Sequence, residues 1–443
     1  MKRKDIKMMK SMKLLVSLLL IGSFAQAQTF FSNVLLESIS YSNARAHALG
    51  GVAMAEWGHP SAVTSNPALG GGMTGFTFGL TSKGIHLRER RSFPVQDTFG
   101  DFLTDNDYVH NRYWILDGGF VAGYGQKSWS VMVGYNPVNN LNYTYKEEIR
   151  TATYDYNRDP LVGYHNVSFS GMVNGLSVGG AWNPQQAKWL NLGVSATKLM
   201  GKNIERGFGV TVLDRPDDRL ASDTTTFSLI ESDFQGGVDI RLGTVISLSD
   251  RHAFHLAYTF SGDEEFEYPG VIALMDTTLM MPAYHVDHSV HKQTVKRPNT
   301  LSMGYRYIPE NILKTEIFVQ TDLTFWNDLR FEYQGEDTTT FNPDWDNTWA
   351  FKTGVEHVFS SGIPIRLGWS YTKSPIRNEL HQSKIHFGTG YHIERLILDL
   401  NVSWYESIYH YNDLFPIEGE VRVSRDKVRE AGVQVMATMT YSL

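Results

Sequence analysis

The 443-residue sequence contains no cysteine. That absence excludes disulfide stapling and thiol chemistry, although membrane barrels and soluble proteins alike do without cysteine. It also lacks an apolar run of about 20 residues, the length a membrane-spanning helix needs. The longest such stretch, Leu14 to Phe24, falls well short. Basic charge is scarce too, with 40 Lys and Arg against 47 Asp and Glu, a balance that speaks against a nucleic-acid partner. No nucleophile elbow is recognised among the serines, so no catalytic residue is assigned and the chain reads as a non-enzyme. No cofactor is assigned either.

The start of the chain carries Lys2, Arg3, Lys4, Lys7, Lys10 and Lys13, then the apolar run, then Ala25-Gln26-Ala27. These are the basic, apolar and small-residue parts of a secretory signal, and residues 1–27 are read as a signal peptide cleaved after Ala27. Removing its six basic residues and one acid leaves a mature charge of about −12. Its 10 Trp, 22 Tyr, 24 Phe and 39 Gly fit twisted strands with aromatic girdles, and fit a soluble all-β protein as well.

Residues 74–443 separate into about fourteen segments of period-two alternation. In one, Leu396, Leu398, Leu400, Val402 and Trp404 share a face, opposite Ile397, Asp399, Asn401, Ser403 and Tyr405. The same split separates Trp129, Val131, Val133 and Tyr135 from Ser128, Ser130, Met132 and Gly134. It returns at the end, where Val433, Val435, Ala437, Met439, Tyr441 and Leu443 are expected outward. Short turns fall at Gly125 to Lys127, Pro184 to Lys188, Asp250 to Arg251, Pro309 to Asn311, Ser361 to Gly362 and near Glu394. Long connectors are expected at 83–111, 148–164, 207–232, 267–297, 334–347, 375–382 and 411–425. Strict short–long alternation is the mark of an outer-membrane barrel. The expectation is therefore an all-β, transmembrane antiparallel β-barrel of about fourteen strands in a Gram-negative-type outer membrane. Residues 28–73 do not fit the strand pattern; they either enter the lumen as a plug or form a periplasmic tail.

Asn43-Ala44-Arg45-Ala46, Gly50-Gly51, Pro60-Ser61-Ala62 and Asn66-Pro67-Ala68 occur in an order that resembles the N-terminal hatch of the long-chain fatty-acid transporter (FadL-like) family. Further resemblances lie in Arg297-Pro298, Gly304-Tyr305-Arg306-Tyr307 and Trp326, and in Arg366 to Tyr371 followed by Ser374-Pro375-Ile376. The resemblance implies a fourteen-stranded barrel with residues 28–73 as a hatch inside the lumen. It also implies uptake of hydrophobic compounds such as long-chain fatty acids, held in an apolar lumen pocket and released through a lateral, hatch-gated opening. Asn66, Pro67, Ala68, Gly50 and Gly51 become the candidate gating residues. Pro137, in the middle of the third strand, becomes the candidate kink, because proline cannot donate a ladder hydrogen bond. The sequence departs from the family at Ser65, where an aromatic residue often stands, and at Leu443 in place of a terminal phenylalanine.

Expected partners are hydrophobic small molecules, outer-membrane lipid and lipopolysaccharide, and the barrel-assembly machinery. A protein-docking component of a secretion system on the same fold is the alternative. His285, Asp287, His288 and His291 form a weak candidate metal cluster in a long connector, with a solvated loop as the competing reading. Asp263, Glu264, Glu265 and Glu267 offer a second acidic group, read either as a cation site or as a charged rim.

Overall fold

The computed structural model describes residues 43–97, 99–150, 161–213, 225–268, 272–276, 283–287, 292–310, 314–335, 338–411 and 425–443. The expected signal peptide and residues 28–42 lie outside the described residues. From Gly75 onward the chain is a closed antiparallel barrel of fourteen strands. The first six are β1 (Gly75–Gln96), β2 (Phe102–Gln126), β3 (Trp129–Asn140, resuming at Tyr143–Arg150), β4 (Leu161–Trp182), β5 (Leu190–Val212) and β6 (Thr226–Ser247). Next come β7 (His252–Phe260, resuming at Glu264–Glu267), β8 (Lys292–Lys296, then Thr300–Tyr307), β9 (Lys314–Thr324, then Arg330–Gln334) and β10 (Thr338–Phe341, then Thr348–Val358). The last four are β11 (Pro364–Thr372), β12 (Gln382–Ile393), β13 (Leu396–Tyr411) and β14 (Asp426–Ser442). Each strand pairs with the next, and β14 pairs with β1 from Thr77–Ser442 to Ser92–Lys427, which closes the ring. Closure is what lets a sheet sit in lipid, since an open edge would strand backbone groups that nothing there can bond.

The alternation decides which face looks out. On β13 Leu400, Val402 and Trp404 are exposed while Asn401 and Ser403 are buried; Val131, Leu367, Trp369 and Val435 repeat the pattern on other strands. A belt of exposed Phe, Trp, Leu and Val around the wall would be costly in water, at about 25 cal/mol per Å2 of apolar surface, and is at home in hydrocarbon. Among the described residues no helix is long and apolar enough to cross a membrane.

All six expected short turns lie between consecutive strands, and Glu394 adopts the left-handed conformation at its turn with φ 53°. Several long connectors are shorter than expected, while those at 375–382 and 411–425 fall between strands as expected. Residues 83–111 are mostly ladder, paired through Lys83–Asp117, Arg88–Arg112 and Arg90–His110, and only the residues between Gln96 and Phe102 connect. Crossing a bilayer takes about 9–11 residues of a tilted strand, so much of this hairpin stands clear of the lipid. There its outer face meets water, the apolar period vanishes, and the sequence looks like loop. The same reason extends β5 to Val212 and starts β6 at Thr226. Within the expected connector 267–297, Ile272–Asp276 pairs with Ala283–Asp287 as a separate hairpin, and Lys292–Lys296 already belongs to β8.

Candidate functional site

Residues 43–73 pack against strands from every side of the ring, and their apolar side chains make a buried core with Met132, Val245 and Phe318 of the wall. The segment begins with a short helix, α1 (Ala44–Ala48), capped by Asn43, whose side chain accepts from the Ala46 N–H. Three 3₁₀ turns follow, at Ala53–Glu56, Pro60–Thr64 and Pro67–Gly72. Gly50 and Gly51 leave α1 with φ of 84° and 80°, a conformation that glycine adopts without steric cost. The wall is cut away to receive this turn. A Cβ on Gly368 of β11 would stand 2.3 Å from the Gly50 nitrogen, and one on Gly354 of β10 would stand 2.5 Å from the Leu49 carbonyl oxygen.

Polar contacts then fix the register of the segment. Arg45 donates to both carboxylate oxygens of Glu356, at 2.9 and 2.6 Å. Glu356 also accepts from Arg366 at 2.5 Å, and Arg366 reaches Asp399 at 2.7 Å, which ties α1 to β10, β11 and β13. Charge-assisted, two-pronged bonds of this kind are strong and directional. On Glu56, which is fully buried, the Ser61 hydroxyl donates at 2.7 Å, and the Ser65 hydroxyl and the Asn43 N–H donate as well. Burial pushes the Glu56 carboxyl above its usual range, against the pull of these three bonds. Burial, followed by the nearby Arg45 charge, pushes His59 down to about 4. Its ring bonds Ser61 at 2.7 Å and Thr440 of β14 at 3.0 Å.

Asn66 secures the far end. Its side-chain oxygen accepts from the Ala68 N–H at 3.0 Å, while its amide donates at 3.3 Å to the carbonyls of Thr244 and Leu256, paired residues of β6 and β7. Pro67 starts the third 3₁₀ turn, where a missing N–H costs nothing. Ala68 lies over Gly193 of β5, where a Cβ would stand 2.2 Å from its nitrogen.

Between the segment and the wall lies a cavity of about 350 Å3. Gly51, Ala53, Glu56, Thr64 and Ser65 form one side, and Trp326, Phe331, Trp349 and Val138 give it apolar surface. Val295, Leu329 and Ala257 add to that surface, while Asp239, Arg241, Arg297, Asp322 and Lys352 bring charge to it from β6, β8, β9 and β10. The lumen pocket is therefore mixed in character, not apolar throughout. Beside it β3 carries a bulge: Pro137 pairs with Asn174 of β4 and Asn139 with Val173, leaving Val138 without an opposite residue. The β2–β3 ladder runs from Gln126–Trp129 to Phe120–Tyr135. Among the described residues the two strands share no ladder beyond that pair, although both continue.

No family model matches the sequence and no curated protein matches it. Solved structures do. A Pseudomonas aeruginosa FadL homologue superposes with a TM-score of 0.60 at 13% identity, covering 91% of this chain and 99% of its own. The Pseudomonas putida toluene transporter TodX gives 0.58 at 12%, covering 92% and 100%, and the Ralstonia pickettii toluene transporter TbuX gives 0.54 at 15%, covering 92% and 99%. The fold is FadL-like.

Within this FadL-like fold the expected gating residues divide into two groups. Gly50 and Gly51 sit on the β10–β11 wall, whereas Asn66, Pro67 and Ala68 sit on β5 to β7. Pro137 lies at the bulge, and the strand continues past it. The metal candidates do not form a described cluster: His285 and Asp287 lie in the separate hairpin with side chains outside the description, and His288 and His291 lie outside the described residues. The acidic group is split by its strand, with Glu264 facing inward beside Arg297 at 3.2 Å and Glu265 meeting Lys292 at 3.0 Å. The spacing Gly-x-Ser-x-Gly does occur, at Gly175 to Gly179, but inside the extended strand β4. Ser177 there is buried and bonds Thr197 at 2.8 Å, so no strand–turn–helix elbow presents it. Sequence reasoning missed Glu56 and Arg241, and named Arg45 and Arg297 only as parts of motifs, without their partners. The inward parity of β6 gave the one available signal for Arg241; nothing local marked Glu56.

Proposed function

We propose that the protein takes up hydrophobic small molecules across the outer membrane of a Gram-negative-type bacterium, with residues 43–73 as the gate. One observation carries this reading: the cavity is bounded on one side by that segment and on the other by the bulged wall at Val138. Cargo resting there touches both the part that could move and the part of the wall whose ladder to β2 has ended. Burial gains about 0.8 kcal/mol per methylene, so capture is favourable and release needs a rearrangement. The route out is the wall between β2 and β3 beyond the ladder's end, which the Asn140–Asp117 hydrogen bond now bridges and which would open when the segment shifts. The toluene transporters of similar fold support a hydrocarbon-sized cargo; long-chain fatty acids are the other class this reading admits. Lipid and lipopolysaccharide contact the outer belt, and the barrel-assembly machinery inserts it.

The test is uptake of radiolabelled toluene and of oleate by cells producing the protein, against cells producing an assembled variant with Asn66→Ala and Arg45→Ala together. Faster uptake of either probe by wild type, reduced in the variant, is the expected result. Uptake no faster than in cells without the protein removes the transport reading.

A further inference from the structure

Asn136 is the last β3 residue before Pro137; it is 3% exposed and lines the cavity, yet neither its side-chain nitrogen nor its oxygen has a hydrogen-bond partner among the described residues. A buried amide with both ends unmet forfeits its solvation at each orphaned group, so its persistence beside an open cavity marks a place where something else supplies the partner. Three of the cavity's cations are already committed, and Lys373 is a further lining cation. Arg241 donates to Thr197 at 2.8 Å and faces Asp239 at 3.5 Å. Arg297 is paired with the same Asp239, and Lys352 lies 2.7 Å from Asp322.

We propose that Asn136 is a specificity-determining residue that binds the hydroxyl group of a neutral, otherwise hydrophobic molecule, an alcohol or a phenol. The chemistry follows from the pair of orphaned atoms. The amide nitrogen must donate and the amide oxygen must accept, and a hydroxyl does both at one centre. A carboxylate only accepts, so it would leave the Asn136 oxygen facing negative charge, and Arg241, Arg297 and Lys352 already face Asp239 and Asp322. The apolar body of the molecule then lies along Val138 and the Trp326 and Phe331 rings. A bare hydrocarbon fits the same space and leaves the amide unmet.

This inference rests on the uptake reading above, and the experiment separates the two. Equilibrium dialysis of the purified full-length barrel in detergent measures retention of p-cresol and of toluene, each corrected for its partition into protein-free micelles. Wild type is expected to retain p-cresol more tightly than toluene. Asn136→Leu, close in size and without polar atoms, should weaken p-cresol roughly tenfold and leave toluene within about twofold. Asn136→Ser, which keeps one hydroxyl, should restore part of the p-cresol affinity; it also serves if Asn136→Leu loses the heat-modifiable migration of a folded barrel. Equal change for both probes, or no change for either, overturns the proposal and leaves Asn136 a hydrated wall residue. Failure of wild type to retain toluene counts against the uptake reading itself, whereas toluene bound without any p-cresol preference removes only this inference.

Discussion

The two walls of the bore treat the enclosed segment differently. On the β10–β13 side α1 is clamped: a two-pronged Arg45–Glu356 pair extends through Arg366 to Asp399, and glycines let backbone lie directly on backbone. On the β2–β4 side the wall is bulged at Val138, its ladder to β2 ends at Phe120–Tyr135, and it carries an amide with no hydrogen-bond partner among the described residues. The segment packs closely on both flanks, with Met73 over Gly125 and Val63 over Gly134 on the β2–β4 side, so the contrast lies in the ion pairs and the bulge and not in the packing. Under the uptake reading proposed above, α1 is the anchored end and the wall beside β3 is where movement would begin.

Removing the anchorage should have the largest effect. Gly368→Leu drives a side chain into the Gly50 nitrogen and should unseat the segment at a cost of up to about 3 kcal/mol, while the apolar outer belt still directs assembly. Proteolysis of residues 43–73 in assembled barrels measures this; cleavage no faster than wild type would show that the clamp does not hold the segment. Arg45→Ala comes next. Glu356 keeps Arg366 and the Arg45 side chain is about a quarter exposed, so the loss is about 1–2 kcal/mol, discounted from a fully buried pair. The same protease assay should rank it below Gly368→Leu. Asn66→Ala removes a cap and two wall contacts, about 1 kcal/mol. It should slow uptake without reducing the amount of folded barrel, and unchanged uptake would exclude this end of the segment from gating.

Much of this contrast was visible in the chain and part of it was not. The outer faces of β13 and β14 could be read residue by residue, because lipid on one side imposes a strict period of two. The Asn-Pro-Ala turn was equally legible, since capping and proline act on near neighbours. The charged hairpin from Lys83 to Asn111 was mistaken for loop because it pairs where no apolar phase constrains it. Arg45 and Glu356 lie 311 positions apart, and no local pattern joins them. The orphaned amide of Asn136 could not be foreseen either, since it is defined by groups that fail to reach it.

A smaller effect should come from pH. His59 titrates at about 4 in the folded chain against an ordinary value of 6.5, so its neutral ring stabilises the seat fully above pH 6.5 and loses that contribution as pH falls toward 4. Glu56, raised by burial, has the opposite slope and is favoured in its protonated form as pH falls. Wild-type protease resistance between pH 7 and 4.5 is therefore set by two opposed groups. His59→Gln should gain resistance in acid relative to wild type; if both respond alike, His59 is not part of the seat. Pro137→Ala is expected to change least. It returns one N–H to a strand already shaped by its bulge, so uptake should shift by less than about threefold. A larger loss would make the proline itself the cause of the ladder's end.

Pairing of β1 with β14 carries one more consequence. The seam joins residues separated by nearly the whole length of the barrel, so no shorter piece of it can have a finished rim. Residues just ahead of Gly75 lead straight to that seam, so the enclosed segment hangs from the strand that completes the wall. A barrel stalled one strand early would expose two raw borders to its neighbours.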